Sequence, residues 1–341
     1  MFNFLNPKTM QKQLTLLAAM ALALVACNKS QTVITETPGE ISFKAVASVA
    51  TKADAADIVQ ATTLNADYVI YAAASTPTKQ SFFGKTLFKK DDAGVPTAES
   101  TVYYPYSGED KTQIYWPMAG EKVDFLAYSL LPAAETALSS AIAFDGTTPA
   151  NVLTISEWDT YTNQYDVLYS AANGKSNSSA AVNLPFSHAQ SLLAFKAKTT
   201  GTTENIFKIT AIEILDLENK GTFTVNNEKT LLKAAWSSLS HDGTCTIKNI
   251  ADEYVPITTS TQIGDMLLVP EQDSKSIKIT YKLGTDATTE YNVIVPLTRR
   301  VWEMGHKYTY DLTLTVNEIT FTESVTDWTS ETAENISVPE A

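Results

Sequence analysis

The 341-residue chain predicts an all-β protein, and three observations carry that expectation. β-Branched and aromatic residues are abundant in its body, the clearest apolar patterns alternate with period two, and turn-forming dipeptides interrupt them at short intervals. Period two sends successive side chains to opposite faces, so one face of each sheet is core and the other meets water, as in antiparallel sheets.

The elements follow in order. Ile41 to Val46 alternates as a first strand, and the small-residue stretch Ala47 to Ala56 separates it from what comes next. Turn signals stand at Asp91 to Gly94, Ser107-Gly108, Asp145-Gly146, Asn173-Gly174, Asp242-Gly243 and Leu283-Gly284. Only Ala133 to Ser140 reads as helical, too short to organise a domain. Asn173 to Ser179 reads as a flexible polar connection, so a seam is expected near residue 183, with an N-terminal domain over 53–183 and a C-terminal one over 184–341. Beyond it, Ser191 to Ala197 is a long apolar strand. Ile277, Ile279, Tyr281 and Leu283 share one face, as do Tyr291, Val293, Val295 and Leu297. In Tyr308 to Val316 the even-numbered positions are all apolar and the odd ones are Thr or Asp.

Charge and chemistry exclude several classes. Asp and Glu number 38 against 25 Lys and Arg, a net charge of −13, which repels phosphate backbones and makes nucleic acid an unexpected partner. The two arginines, Arg299 and Arg300, are adjacent and build no patch alone. His188, His241 and His306 are too widely spaced for a zinc-type motif, so no metal is expected; His188 reads as a satisfied residue at a core strand. Cys245 has no neighbouring base or cation and reads as a buried structural thiol. The many carboxylates read as solvation rather than a glycosidase pair, and no phosphate loop or serine elbow occurs. Tyr103, Tyr104, Tyr106, Tyr115 and Trp116 offer an aromatic platform for sugar rings, about half of which alternation assigns to the core. No catalytic residue and no cofactor is expected.

The N-terminus carries its own signal. Lys8 and Lys12 precede the largely apolar run Leu14 to Ala26, too short for the roughly 20 residues of a membrane-spanning helix and right for the ~7–15-residue core of a secretory signal. Met10 would serve equally as the start. Leu24, Val25 and Ala26 before Cys27 resemble the lipobox of bacterial lipoprotein precursors. That resemblance implies a signal peptide over 1–26, recognition of Leu24, Val25 and Ala26 by the signal peptidase, and lipid on Cys27. With Cys27 acylated, Cys245 has no disulfide partner.

Further stretches resemble a known family. Tyr115-Trp-Pro117 with Val123 to Tyr128, Tyr165 to Tyr169 before Pro185 to Lys196, Trp302 to Tyr308, and Ile319 to Phe321 before Val325 to Trp328 are similar in order and spacing to the FimA-like fimbrillins, the type V pilins of Bacteroidales. The resemblance implies two transthyretin-like β-sandwiches in tandem. It implies a fimbrial subunit or surface adhesin: a lipoprotein precursor at the outer membrane, then a fimbrium of copies of itself or related subunits facing host or bacterial surface ligands. Maturation in that family is a cut by a trypsin-like protease near the first strand, whose loss opens a groove for a strand of the next subunit. Lys52, followed by Ala53, stands in for the usual arginine, making 27–52 an N-terminal propeptide that includes the first strand, and Ile336 and Val338 share one face of the expected donor strand at the C-terminus. The competing expectation is a glycan-binding surface lipoprotein that never polymerises.

Overall fold

The computed structural model describes residues 39–47, 68–90, 102–117, 120–145, 147–148, 150–177, 180–200, 206–251, 253–256, 259–284, 288–297, 300–315 and 319–327. The all-β class holds, with a single seven-residue α-helix among the described residues. The chain runs through β1 (Phe43–Ala47), β2 (Val69–Ser75), β3 (Phe83–Lys90), β4 (Val102–Ser107), β5 (Asp110–Lys111), β6 (Val123–Leu130), α1 (Pro132–Leu138), β7 (Ile142–Phe144), β8 (Val152–Asp159), β9 (Leu168–Lys175) and β10 (Val182–His188). It continues through β11 (Ser191–Thr199), β12 (Phe207–Ile214), β13 (Lys220–Asn227), β14 (Leu232–Ser240), β15 (Cys245–Thr246), β16 (Thr261–Gln262) and β17 (Leu267–Val269). The last strands are β18 (Gln272–Asp273), β19 (Ser276–Leu283), β20 (Tyr291–Pro296), β21 (Val301–Trp302), β22 (His306–Leu314) and β23 (Ile319–Asp327).

The first sheet has the order β1-β10-β9-β6-β2-β3-β4-β5, and β1 also pairs with β4, so its strands close on themselves. Inside lies a core of Ile41, Phe43, Ile70, Phe88, Tyr103, Trp116, Phe125, Leu184 and Phe186. β6 is buried along its whole length because its two faces meet two cores. Val123, Phe125 and Ala127 point inward, while Leu126, Tyr128 and Leu130 pack outward against Ala134 and Leu138 of α1 and against Leu153, Ile155 and Phe223. This second core is covered by the sheet β14-β13-β8-β7. Strands from before and after residue 183 pair in it, with Val225 opposite Leu153 and Thr224 opposite Thr154.

The third core is a sandwich. Leu193, Phe195 and Ala197 of β11 and Tyr308, Tyr310, Leu312 and Leu314 of β22, two strands paired in parallel, face Ile209, Ile212 and Ile214 of β12 and Ile277 and Ile279 of β19. The predicted alternation of Tyr308 to Leu314 is thus present, and Val316 lies outside the described residues. Tyr291, expected on the core face, is 42% exposed because β20 is an edge strand.

The expected polar connection Asn173 to Ser179 differs from the structure. Asn173, Gly174 and Lys175 belong to β9, where Val123 pairs with Lys175 and Phe125 with Ala172, one extra residue on the β9 side. Gly174 takes φ +63°, so Asn173-Gly174 makes a bulge inside a strand rather than a turn between strands. Asn173 and Asn227 exchange side-chain hydrogen bonds of 2.7 and 2.8 Å, and the Gly174 N–H donates to Asp124 at 2.8 Å. These partners convert a polar string into anchored backbone. The chain leaves the first sheet at Ala189-Gln190, a few residues past the expected seam.

Candidate functional site

The strand with the most consequential position is β1. Its Phe43 to Ala47 run parallel to Val182 to Phe186 of β10, while Phe43 and Lys44 lie antiparallel to Tyr103 and Val102 of β4. β10 pairs with β9 only at Ser187 and His188, so β1 is the sole strand partner of Val182 to Phe186 among the described residues. Ahead of β1, the Ile41 N–H donates to Ile114 O at 2.7 Å, the Trp116 N–H to Gly39 O at 3.0 Å, and Glu40 bridges Tyr115; the Val182 N–H donates to Ser42 O at 2.8 Å.

The side chains explain why β1 sits there. Ile41 and Phe43 are fully buried and Ala45 nearly so, with Ser42 and Lys44 between them half-exposed. Phe43 packs edge-on against Phe88 at 4.5 Å and Phe125 at 5.2 Å, and Trp116 packs edge-on against Phe125 at 5.8 Å. Burying Ile41 and Phe43 contributes about 1.5–3 kcal/mol each. Without β1, the stretches facing the gap would be Val102-Tyr103 of β4 and Val182 to Phe186 of β10, and each of these strands carries a proline, Pro105 and Pro185. Proline cannot donate to a ladder and belongs on edge strands. Those two residues were the overlooked sequence signal for a slot between β4 and β10.

The residues singled out from sequence for lipidation and maturation, Cys27, Leu24, Val25, Ala26, Lys52 and Ala53, lie outside the described residues, as do Ile336 and Val338. Lys52 falls in the connection between the end of β1 and the start of β2. Of the aromatic platform, Tyr103 (1% exposed) and Trp116 (2%) are core. Tyr104 and Tyr106 are half-buried outside under Lys111 (3.6 Å from the ring centre) and Lys89 (5.5 Å), and Tyr115 is exposed.

The remaining chemical candidates are buried or paired with neighbouring side chains. His188 Nδ1, at the end of β10, lies 2.8 Å from Oδ1 of Asp166, which precedes β9, and both side chains are nearly buried. Cys245 is buried, and burial, reinforced by Asp159 and Asp242, pushes its thiol up to about 12. Arg300 pairs with Glu323 at 3.1 Å, and Glu323 also accepts from Tyr310 OH at 3.1 Å. Among the described residues no three His, Cys, Asp or Glu side chains converge to hold a metal, and no helix is long and apolar enough to cross a membrane.

Comparison with known proteins completes the picture. The fold is similar to solved structures of a fimbrial protein from Bacteroides vulgatus (16% identity, TM-score 0.55, covering 85% of this chain and 99% of that one) and of a candidate cell adhesion protein from Bacteroides ovatus (17%, 0.55, 86% and 99%). A candidate cell adhesion protein from Bacteroides uniformis is similar to the same degree (17%, 0.54, 85% and 100%). At such identities the likeness concerns the fold. No curated protein sequence matches the chain significantly. The fimbrillin-like family model matches residues 51–328, and with most of its length covered in this way the chain belongs to the fimbrillin-like family.

Proposed function

We propose that this chain is a fimbrial subunit, or a closely related cell-surface adhesin, that is exported as a lipoprotein through Cys27, cut between Lys52 and Ala53, and polymerised when a strand of the next subunit replaces β1. Its role is structural rather than catalytic, its partners are copies of itself or related subunits, and its two halves are tandem transthyretin-like sandwiches. Membership of the fimbrillin-like family supports the class of function.

One observation carries the exchange step. β1 closes the first sheet with Ile41 and Phe43 inside it, yet the chain joins β1 to β2 only through the connection that holds Lys52. A cut there frees β1 while leaving every other described strand covalently intact. The incoming strand is assigned to the C-terminal segment, in which Ile336 and Val338 offer two apolar side chains at the period-two spacing of Ile41 and Phe43.

N-terminal sequencing of the surface form tests this, with a denaturing gel of unboiled material read for an oligomer ladder. The reading expects Ala53 as the first residue and a ladder lost in Lys52→Ala. Fibres whose subunits still begin at Cys27 would overturn the cleavage step. A single unladdered species retaining Cys27 would favour the non-polymerising glycan-binding lipoprotein, for which Tyr104, Tyr106 and Tyr115 are the exterior aromatics.

A further inference from the structure

Few buried side-chain polar atoms lack a hydrogen-bond partner among the described residues, and three of them border one place: Glu40 Oε1, Tyr103 OH and Trp116 Nε1. Tyr103 stands opposite Phe43 in register, the Trp116 backbone N–H bonds to Gly39, and Glu40 immediately precedes Ile41. By backbone position, all three residues therefore border the slot of β1. Buried polar groups are nearly always paired, because an unpaired one forfeits its bonds to water and recovers nothing. The inward side chains described on β1 and just ahead of it, Ile41, Phe43 and Ala45, offer neither donor nor acceptor. The resident strand thus fits the slot by apolar contact and mismatches it in polarity. Its departure would also return the carboxylate of Glu40 to water.

We infer that the slot is completed by a hydrogen-bond acceptor on the inward face of the incoming strand, with Trp116 Nε1 and Tyr103 OH of the receiving subunit as its donors; this rests on the strand-exchange reading above. An indole N–H only donates, so the complement must be an acceptor, and a carboxylate makes the stronger bond. The occupant is the C-terminal segment of a second copy. In a strand, Glu334, Ile336, Val338 and Glu340 fall on one face, so the two apolar side chains assigned to the slot are bracketed by carboxylates on their own side. The selectivity is directional. The apolar pair replaces Ile41 and Phe43, and the bracketing acceptors pair groups that β1 leaves bare.

The test uses the soluble chain from Asn28 onward, cut by limited trypsin at Lys52, with parent, Tyr103→Phe, Trp116→Phe and Glu334→Leu/Glu340→Leu forms compared. Tyr103→Phe, which deletes only the unpaired hydroxyl, is expected to leave the melting temperature of the uncut monomer unchanged or to raise it, whereas Trp116→Phe also loses core packing against Phe125 and is compared only by its rate after the cut. After the cut, each should lower the rate of ladder formation roughly tenfold or more, the worth of one charge-assisted hydrogen bond. The double glutamate variant should lose ladder formation as a donor while its monomer melts like the parent. If parent and variants ladder at equal rates, the acceptor inference is overturned and strand exchange stands. A Tyr103→Phe monomer that melts clearly lower than the parent would show the hydroxyl already paired before exchange, which also overturns it. Should the cut parent release its N-terminal piece and form no ladder at all, the exchange reading itself falls.

Discussion

Replacing Phe43 by Ala probes the seating of β1 most directly. Phe43 is fully buried, and its ring lies 4.5 Å from that of Phe88 and 5.2 Å from that of Phe125. The rings around it stand on strands held by backbone pairing on both sides, Phe88 on β3 between β2 and β4 and Phe125 on β6 between β2 and β9, so they cannot collapse into the space left. A Phe→Ala change in such a place costs about 3–5 kcal/mol, from lost burial and from the cavity together. That is a large share of the roughly 5–15 kcal/mol by which a domain is stable. The neighbouring Lys44 is half-exposed on the other face, and Lys44→Ala should stay within about 0.5 kcal/mol. Urea unfolding of the soluble chain from Asn28, followed by tryptophan fluorescence, reads both values from the midpoint and slope. A weakened resident strand should also speed exchange, so the trypsin-cut Phe43→Ala chain should form its ladder faster than the parent. If Phe43→Ala shifted stability by less than about 1 kcal/mol, no better than Lys44→Ala, the claim that β1 closes the first core would be wrong.

Burial alone would raise the carboxyl of Asp159, but hydrogen bonds from Thr162, Asn219 and Tyr161 outweigh it and hold it below the usual aspartate range. A carboxylate depressed on folding adds stability above its unfolded pKa of about 3.9 and loses it as pH falls through the folded value. Asp159→Asn should therefore be less stable than the parent at pH 7, and the gap should close in acid unfolding scans below about pH 4. The Cys245 thiol, pushed up to about 12 by burial, should resist Ellman's reagent at pH 8 in the folded chain from Asn28 and react once the chain is unfolded in urea. Gly264 has φ +65°, and a Cβ there would lie 2.6 Å from both Ile247 Cγ2 and Lys248 O, whereas Gly243 at φ +77° has open space. Gly243→Ala should cost only the left-handed backbone penalty, about 1–2 kcal/mol, and Gly264→Ala clearly more in the same urea assay.

What the sequence determined by itself was the class of the fold and the facing of its side chains. Alternation in Tyr308 to Leu314, in Ile277 and Ile279, and in Ile41, Phe43 and Ala45 names the buried face of each strand, because the pleat imposes period two wherever the chain is extended. The helix near residue 133, the inert setting of Cys245 and the family resemblance were legible for the same reason: each is local in the chain or carried by short ordered motifs. Tertiary structure alone decided the neighbours. Nothing in FKAVA tells it to lie beside Val182 to Phe186 rather than beside the next strand, since a backbone ladder is the same for every sequence and its partner is chosen by which side chains fill the enclosed core. The same holds for the pairing of β8 with β13 and for Asn173-Gly174, whose turn chemistry became a bulge because Asp124 and Asn227 were there to bind it. The slot of β1 and the unpaired polar atoms around it belong to this second category, because they arise only where segments distant in the chain meet.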